Sequence, residues 1–283
     1  MQEDSGYYFK IRVFNIMNDV SERIKAESIE MLEYFDRFCK DHNIDYSIAF
    51  GTELGAVRHK GFIPWDDDVD VDMYYIELKK FRRKWKRYGD KRTYFFQDKK
   101  TDKYISTLFP RLRKNGTTWI DPNCEDIPIH WGLPVDIFPI FNAPSSKKWQ
   151  ARQERMYNLA ERFCRFHWSH LKANSVEKAF NYFLTLLFYR MVIFMSWVNR
   201  KSGIAYYPNG YKNRKHITMS ELLPTKTIQF DRLELRGHNN SDKYLSWQYG
   251  DYMTPPPLDQ REGHPVGIID LDNDSKIYTN HLR

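Results

Sequence analysis

Apolar residues between positions 19 and 42 recur at helical spacing. Ile24, Ser28, Met31, Leu32, Phe35 and Phe38 form one stripe, and Glu22, Glu27, Glu30 and Arg37 fall elsewhere. This predicts an amphipathic helix with Asp19 or Ser21 as its N-cap. The run Ile44–Phe50 reads as a strand ended by Gly51, and Val69–Met73 alternates apolar residues with Asp, which reads as a second strand. Leu78–Tyr88 reads as a basic helix. Short strands follow at 94–96, 108–113 and 117–120, then a longer one at 133–140, stopped by Pro139. Residues 147–201 carry neither Gly nor Pro and are helical by pattern, with a strongly apolar stretch at 179–198. Beyond residue 202 the chain is loop-rich. Short strands are expected near 227–235 and a helix at 242–249, before Pro255-Pro256-Pro257. Strands alternate with helices, so the expected fold is α/β (α+β): a mixed sheet flanked by helices. The expected organisation is one domain over 1–283, with 147–201 as a helical insertion.

The chemistry concentrates in one segment. Five of the seven residues from 66 to 72 are Asp: Asp66, Asp67, Asp68, Asp70 and Asp72. Such clustering is electrostatically costly unless a cation compensates. Strand alternation puts Asp68, Asp70 and Asp72 on one face and Val69 and Val71 on the other. Carboxylates at i and i+2 reach one hard divalent cation, which points to Mg2+ (or Mn2+) with waters and substrate phosphates completing its shell. An EF-hand is excluded, because its Gly and its twelfth-position Glu are missing. A solvated acidic loop would not alternate with Val. Gly51-Thr52 follows an apolar strand, where a Gly admits a phosphate close to backbone amides and the Thr hydroxyl adds a donor. Arg58, His59 and Lys60 come next and suit phosphate oxygens.

Charge and cysteines narrow the class. Lys and Arg number 44 against 37 Asp and Glu, for a net +7. Residues 79–92 and 147–201 each carry +8, so the remainder is an acidic core at −9. The three cysteines, Cys39, Cys124 and Cys164, form no CxxC pair, which argues against zinc and against a disulfide framework. The N-terminus has no basic, then apolar, signal pattern. A cytoplasmic protein is expected, with a peripheral place on the inner face of the cytoplasmic membrane as the further option. His167 and His170 are spaced for a metal but have no further ligand nearby in sequence. A basic nucleic-acid-binding protein is the distant alternative, resting on the run Lys79–Arg87; no recognisable nucleic-acid module accompanies it, and no nucleic-acid partner is expected.

The run from Gly51 to Asp70 (GTELGAVRHKGFIPWDDDVD) closely resembles the signature of the LicD family, phosphotransferases that include bacterial phosphorylcholine transferases and, in animals, fukutin and fukutin-related protein. Arg111–Thr118, Gly132–Ile140 and Tyr249–Met253 are similar to further elements of that family. The resemblance implies a nucleotidyltransferase-like fold, with Gly51-Thr52, then Asp68 and Asp70, then Asp136 as a third carboxylate. The pairs Asp66/Asp68 and Asp70/Asp72 fit the Asp-x-Asp pattern as well. The metal set is therefore Asp66, Asp68, Asp70 and Asp72, and the catalytic set Asp68, Asp70 and Asp136. The substrate-binding set is Gly51, Thr52, Glu53, Arg58, His59, Lys60, Arg111 and Arg113. The resemblance also implies a nucleotide-linked donor such as CDP-choline and a sugar hydroxyl of a cell-surface glycan (lipopolysaccharide, teichoic acid or capsule precursor, lipid-linked or not) as acceptor. Sugar-phosphate or polyol-phosphate transfer is the alternative within the class. Trp65, Trp119, Trp131, Trp247 and Tyr252 are the aromatics considered for a choline cage. Asp251 has equal claims to the site and to a turn.

The stretch 179–198 nearly reaches spanning length, but Arg190 and Asn181 interrupt it. A buried helix of the insertion, an interfacial helix and a true span follow in that order of expectation.

Overall fold

The computed structural model describes residues 4–121, 127–169, 175–210, 215–261 and 267–279, with the side chains of 4–19 and 166–169 left aside. Cys124 and His170, and the side chain of His167, fall outside this description.

Helix α1 (Asp4–Asp41) continues well upstream of the expected N-cap. Asp19 and Ser21 are interior, because Tyr7–Val20 contains no Gly or Pro to end the helix. Met31, Leu32, Phe35 and Phe38 are buried as the stripe predicts. They meet Leu78, Phe81 and Trp85 of α3 (Tyr75–Tyr88), whose Lys and Arg residues occupy its other positions. The two helices cover one face of a mixed sheet. Its strands are β1 (Ser47–Ile48), β2 (Asp70–Tyr74), β3 (Tyr94–Gln97), β4 (Arg111–Lys114) and β6 (Pro134–Asn142), in the order β1-β2-β6-β4-β3. The β2–β6 pair is parallel; β1–β2, β6–β4 and β4–β3 are antiparallel. Strand β5 (Thr118–Ile120) pairs separately with β11 (Ile268–Asp270).

Alternation divides β2 and β6 between two environments. Val69, Val71, Met73, Val135 and Ile137 join the core beneath α1 and α3. Tyr74 and Ile140 pack on the other side with Leu54 of α2 (Phe50–His59) and Tyr244 of α7 (Ser241–Tyr249). The carboxylates at 70, 72 and 136 share this second side by the same period of two.

Pro139 does not stop β6, which runs on to Asn142. Asp136 donates its N–H to Val69 on β2, whereas Ile137 donates to Pro110 on the other flank. By that alternation Pro139 lacks its N–H on the flank where β4 has already ended, so no ladder bond is lost. The far end of β6 pairs with β7 (Ile204–Tyr206), which pairs with β8 (His216–Thr218). Between β6 and β7 lie two helices, α4 (Lys147–Ser169) and α5 (Ser175–Val198), in the stretch that is helical by pattern. After β8 come the short helix α6 (Met219–Leu222), the hairpin of β9 (Lys226–Phe230) and β10 (Leu233–Gly237), and α7; the short helix α8 (Lys276–Thr279) follows β11.

Candidate active site

The site is built where β1 turns into α2. The expected strand through Phe50 is cut short: Phe50 takes a left-handed backbone (φ 47°) and opens the helix. Such a conformation is costly for a bulky residue, roughly 1–3 kcal/mol. It is held by Tyr244, whose hydroxyl accepts the Phe50 N–H at 3.2 Å, and by Phe138, whose ring lies edge-on at 5.0 Å. Gly51 and Thr52 therefore sit in the first helical turn, where the expected strand would have run up to Gly51.

This junction grips the start of β2 from both sides. Ala49 donates its N–H to the Asp70 carbonyl at 2.9 Å, and the Asp70 N–H is donated to Thr52 Oγ1 at 2.8 Å. Thr52 is buried, so its hydroxyl serves the Asp70 backbone. Gly51 has a different task. A Cβ built there would lie 2.5 Å from Asp66 Oδ2, so the missing side chain is the space the Asp66 carboxylate occupies.

Asp70 and Asp136 are register partners on β2 and β6, and Arg111 is the register partner of Asp136 on β4. The three stand in a row across the sheet, at spacings of about 4.8 Å. Arg111 closes a two-point ion pair on Asp136, Nε to Oδ1 at 2.7 Å and Nη2 to Oδ2 at 3.3 Å, with its guanidinium 4.9 Å above the Phe109 ring. Burial pushes the Asp70 carboxyl well above the usual carboxylate range; the charges of Asp68, Asp136 and Asp66 push it further, and Arg111 opposes them. Three further carboxylates thus bear on Asp70, opposed there by the Arg111 guanidinium. Among the described residues no group of three or more His, Cys, Asp or Glu side chains is placed to hold a metal ion. Asp66, Asp68, Asp70 and Asp136 are an open set of oxygen donors, the ligand type that a hard divalent cation takes.

A basic edge adjoins it. Arg58 Nη1 donates to the Tyr252 carbonyl at 2.6 Å, and Arg58 Nε donates to His59 Nδ1 at 3.4 Å. Arg261 lies 4.8 Å over the Trp65 indole, and His59 meets that ring edge-on at 6.1 Å. Burial, and then the Arg261 charge, lower the Arg58 pKa; burial and Arg58 lower that of His59. Trp65, Trp247 and Tyr252 pack together on this side with Phe50, Tyr74 and Tyr249.

Three expected residues, Glu53, Asp72 and Arg113, have their side chains engaged elsewhere. Glu53 and Asp72 are buried and held by His238, with Nδ1 on Glu53 Oε2 and Nε2 at 3.1 Å from Asp72 Oδ2. Tyr207 donates to the same Asp72 oxygen at 2.7 Å, and Glu53 Oε1 accepts from the His238 N–H at 3.1 Å and from Ser241 at 2.7 Å. This pairing removes Asp72 from the metal set and Glu53 from the substrate set. Arg113 is buried and donates to Gln97 and to the Gly132 carbonyl, both at 2.7 Å, against Trp131, so it grips the chain itself. Lys60 is the left-handed C-cap of α2, and its carbonyl accepts the Asp231 N–H at 2.7 Å. Asp251 accepts from the Thr254 hydroxyl at 2.8 Å, a turn contact. Trp131 is engaged by Arg113, and Trp119 packs against the α1 and α3 core. His238, Tyr207, Phe50 and Arg261 escaped the sequence reading, since nothing local to them in the chain signals a partner.

Residues 43–158 match the family model described as LicD/FKTN/FKRP, nucleotidyltransferase domain. Over these residues the chain is similar to the LicD family. The match takes in α2, the aspartate segment, β2, β4 and β6, and so every carboxylate of the open set. Over 266 residues the chain is 28% identical to the lipopolysaccharide cholinephosphotransferase LicD of Haemophilus influenzae, covering 84% of this chain and 93% of that protein. Two uncharacterised proteins match shorter parts. One, from Rickettsia typhi, is 34% identical over 64 residues, and one from Rickettsia prowazekii is 56% identical over 34, or 23% and 12% of this chain.

Two predictions follow from this geometry. Gly51→Ala favours the helix by about 1 kcal/mol, so a melt should show a folded protein. Displacement of the Asp66 carboxylate should nevertheless lower kcat and weaken Mn2+ binding; unchanged values would separate Asp66 from the site. The second concerns His238. Burial lowers its pKa, but Glu53 and Asp72 outweigh that and raise it from 6.5 to about 10. A raised folded-state pKa means that the stabilisation is complete below about pH 6.5 and is lost as pH rises through about 10. Urea melts should show stability falling across that window. His238→Gln should cost about 3–5 kcal/mol at pH 6.5 and flatten the slope, because it leaves two buried carboxylates without their cation.

Proposed function

We propose that this chain is a divalent-metal-dependent phosphotransferase that moves phosphocholine from CDP-choline to a sugar hydroxyl of a cell-surface glycan precursor of the lipopolysaccharide, teichoic acid or capsule kind. Similarity to the family over residues 43–158 supports transferase activity, and the name of the Haemophilus influenzae relative supports both the phosphocholine group and a lipopolysaccharide-type acceptor. The observation that carries the metal requirement is the Asp70–Asp136 pair, side by side on parallel strands and crowded by Asp66 and Asp68.

Asp70 and Asp136, with Asp68 and Asp66, would hold Mg2+ or Mn2+, which when bound supplies charge neutralisation to the donor diphosphate and the leaving nucleotide. The protein's own work is positioning, which dominates phosphoryl-type transfer. Thr52 and Ala49 fix the Asp70 backbone. Arg111 sets the orientation of Asp136. Arg58 and Arg261 repel one another beside Trp65, and donor phosphate oxygens on that edge relieve the repulsion. The aromatic wall of Trp65, Trp247 and Tyr252 is the surface suited to a quaternary ammonium.

The test is a donor panel of CDP-choline, CDP-ethanolamine, CDP-glycerol, CDP-ribitol and UDP-sugars, with nucleotide release measured with and without a glycan acceptor. CDP-choline should be turned over, and only with Mg2+ or Mn2+. Asp70→Asn should lower kcat by at least ~10²-fold, the scale for losing one electrostatic group at a transition state. Metal-independent turnover, or full activity of Asp70→Asn, refutes the mechanism. Preference for CDP-glycerol or CDP-ribitol moves the substrate to polyol-phosphate transfer.

A further inference from the structure

Helix α5 is two-faced, and only one face has a partner in the fold. Thr185, Val192 and Ser196 are buried, and Phe188, Tyr189 and Ile193 pack against Phe141, Tyr157, Ala160 and Tyr206. On the opposite side Phe180, Phe183, Leu187, Met191, Phe194 and Trp197 recur in steps of three and four and are 41–62% exposed. They form an apolar stripe along a helix of 24 residues, about 36 Å. The helix is long and apolar enough to cross a membrane, with mean hydropathy 1.4, yet only 17% of that window is buried.

We infer that this stripe is a docking surface for an anionic lipid bilayer, with α5 lying in the plane of the interface. Charge complementarity selects the occupant. Residues 147–201 hold 11 Lys and Arg against three Glu, a net +8. Two exposed tryptophans of the hairpin sit under arginines, Trp197 at 5.2 Å from Arg200 and Trp149 at 4.3 Å from Arg152, each an apolar ring beside a cation as at the headgroup level. The same +8 disfavours a second copy, since a symmetric dimer would set +8 against +8. A span is disfavoured by Arg190, exposed on the same line of the helix as Phe183 and Trp197 with a side chain long enough to reach headgroups from an in-plane helix, and by the packing of the other face on Phe141 and Tyr206.

The hairpin is tied to the strand that bears Asp136. The Asn142 N–H is donated to Ser196 at 2.9 Å, and Gln153 donates to the Asn142 carbonyl at 3.0 Å. Asn142 lies six steps along β6 from Asp136, about 20 Å along a strand. A bilayer on α5 is thereby held at a fixed place relative to the carboxylates, within reach of a lipid-linked acceptor. Binding itself does not rest on the identity of the reaction.

Flotation of the full chain on a density gradient tests this, with vesicles of phosphatidylcholine alone or mixed with phosphatidylglycerol. The protein should float with the anionic vesicles and much less with the zwitterionic ones, and added salt should weaken binding. The double variant Phe180→Ser/Phe194→Ser should reduce binding at least ~10-fold at an unchanged melting temperature. The charge reversal Arg200→Glu/Lys201→Glu, on exposed side chains, should reduce binding to anionic vesicles alone and serves if the serine variant melts early. No flotation, or flotation indifferent to both variants, overturns the inference. A dimer that the serine variant splits, with no vesicle binding, assigns the stripe to a second copy.

Discussion

Everything at the candidate site depends on the crowding of carboxylates on one face of a sheet. Parallel pairing of β2 with β6 sets Asp70 beside Asp136, and the loop leading into β2 adds Asp66 and Asp68. Burial and these neighbouring charges raise the pKa of the Asp70 carboxyl, and crowding like charges out of water opposes folding. Arg111 offsets one of them from the next strand. The charge of buried Asp70, crowded by its neighbours, remains a demand for positive charge at one point of the fold, and the divalent metal proposed above would meet it.

The surroundings hold this arrangement in place. Asp70 is fixed through its backbone by Ala49 and Thr52, so its side chain is left for the site. Asp72, two residues on and facing the same side, is neutralised by His238 and Tyr207 from the C-terminal half of the chain. The same imidazole binds Glu53 of α2, so one buried cation joins α2, β2 and the loop after β10. Arg58 does similar work at the other end of α2, linking it to Tyr252. The C-terminal half thereby closes over a motif drawn from the first 140 residues.

Period and composition made much of this legible. The alternation of Val with Asp across 69–72 exposed both the strand and its carboxylate face, and the gap in Gly and Pro over 147–201 marked the helical hairpin. What stayed hidden depends on contacts distant in sequence. Asp70 and Asp72 are equivalent by alternation; Tyr207 and His238, 135 and 166 residues beyond Asp72, distinguish them. Arg111 and Arg113 are equivalent too, until Gln97 and Gly132 capture the second. Gly51 looked like a turn residue because nothing local announces the left-handed backbone of Phe50, which Tyr244 supports from 194 residues away. Pro139 looked like a strand end because the sequence does not show that β4 has already stopped beside it.

The central claim is that these carboxylates are strained without a cation. Thermal unfolding with and without Mg2+ or Mn2+ tests it directly, comparing the native protein with Asp70→Asn. The account predicts that metal raises the melting temperature of the native protein, since a ligand bound only by the folded state stabilises it. It also predicts that Asp70→Asn is the more stable of the two in chelator and no longer responds to metal. A variant less stable in chelator than the native protein, with its metal response intact, would contradict it.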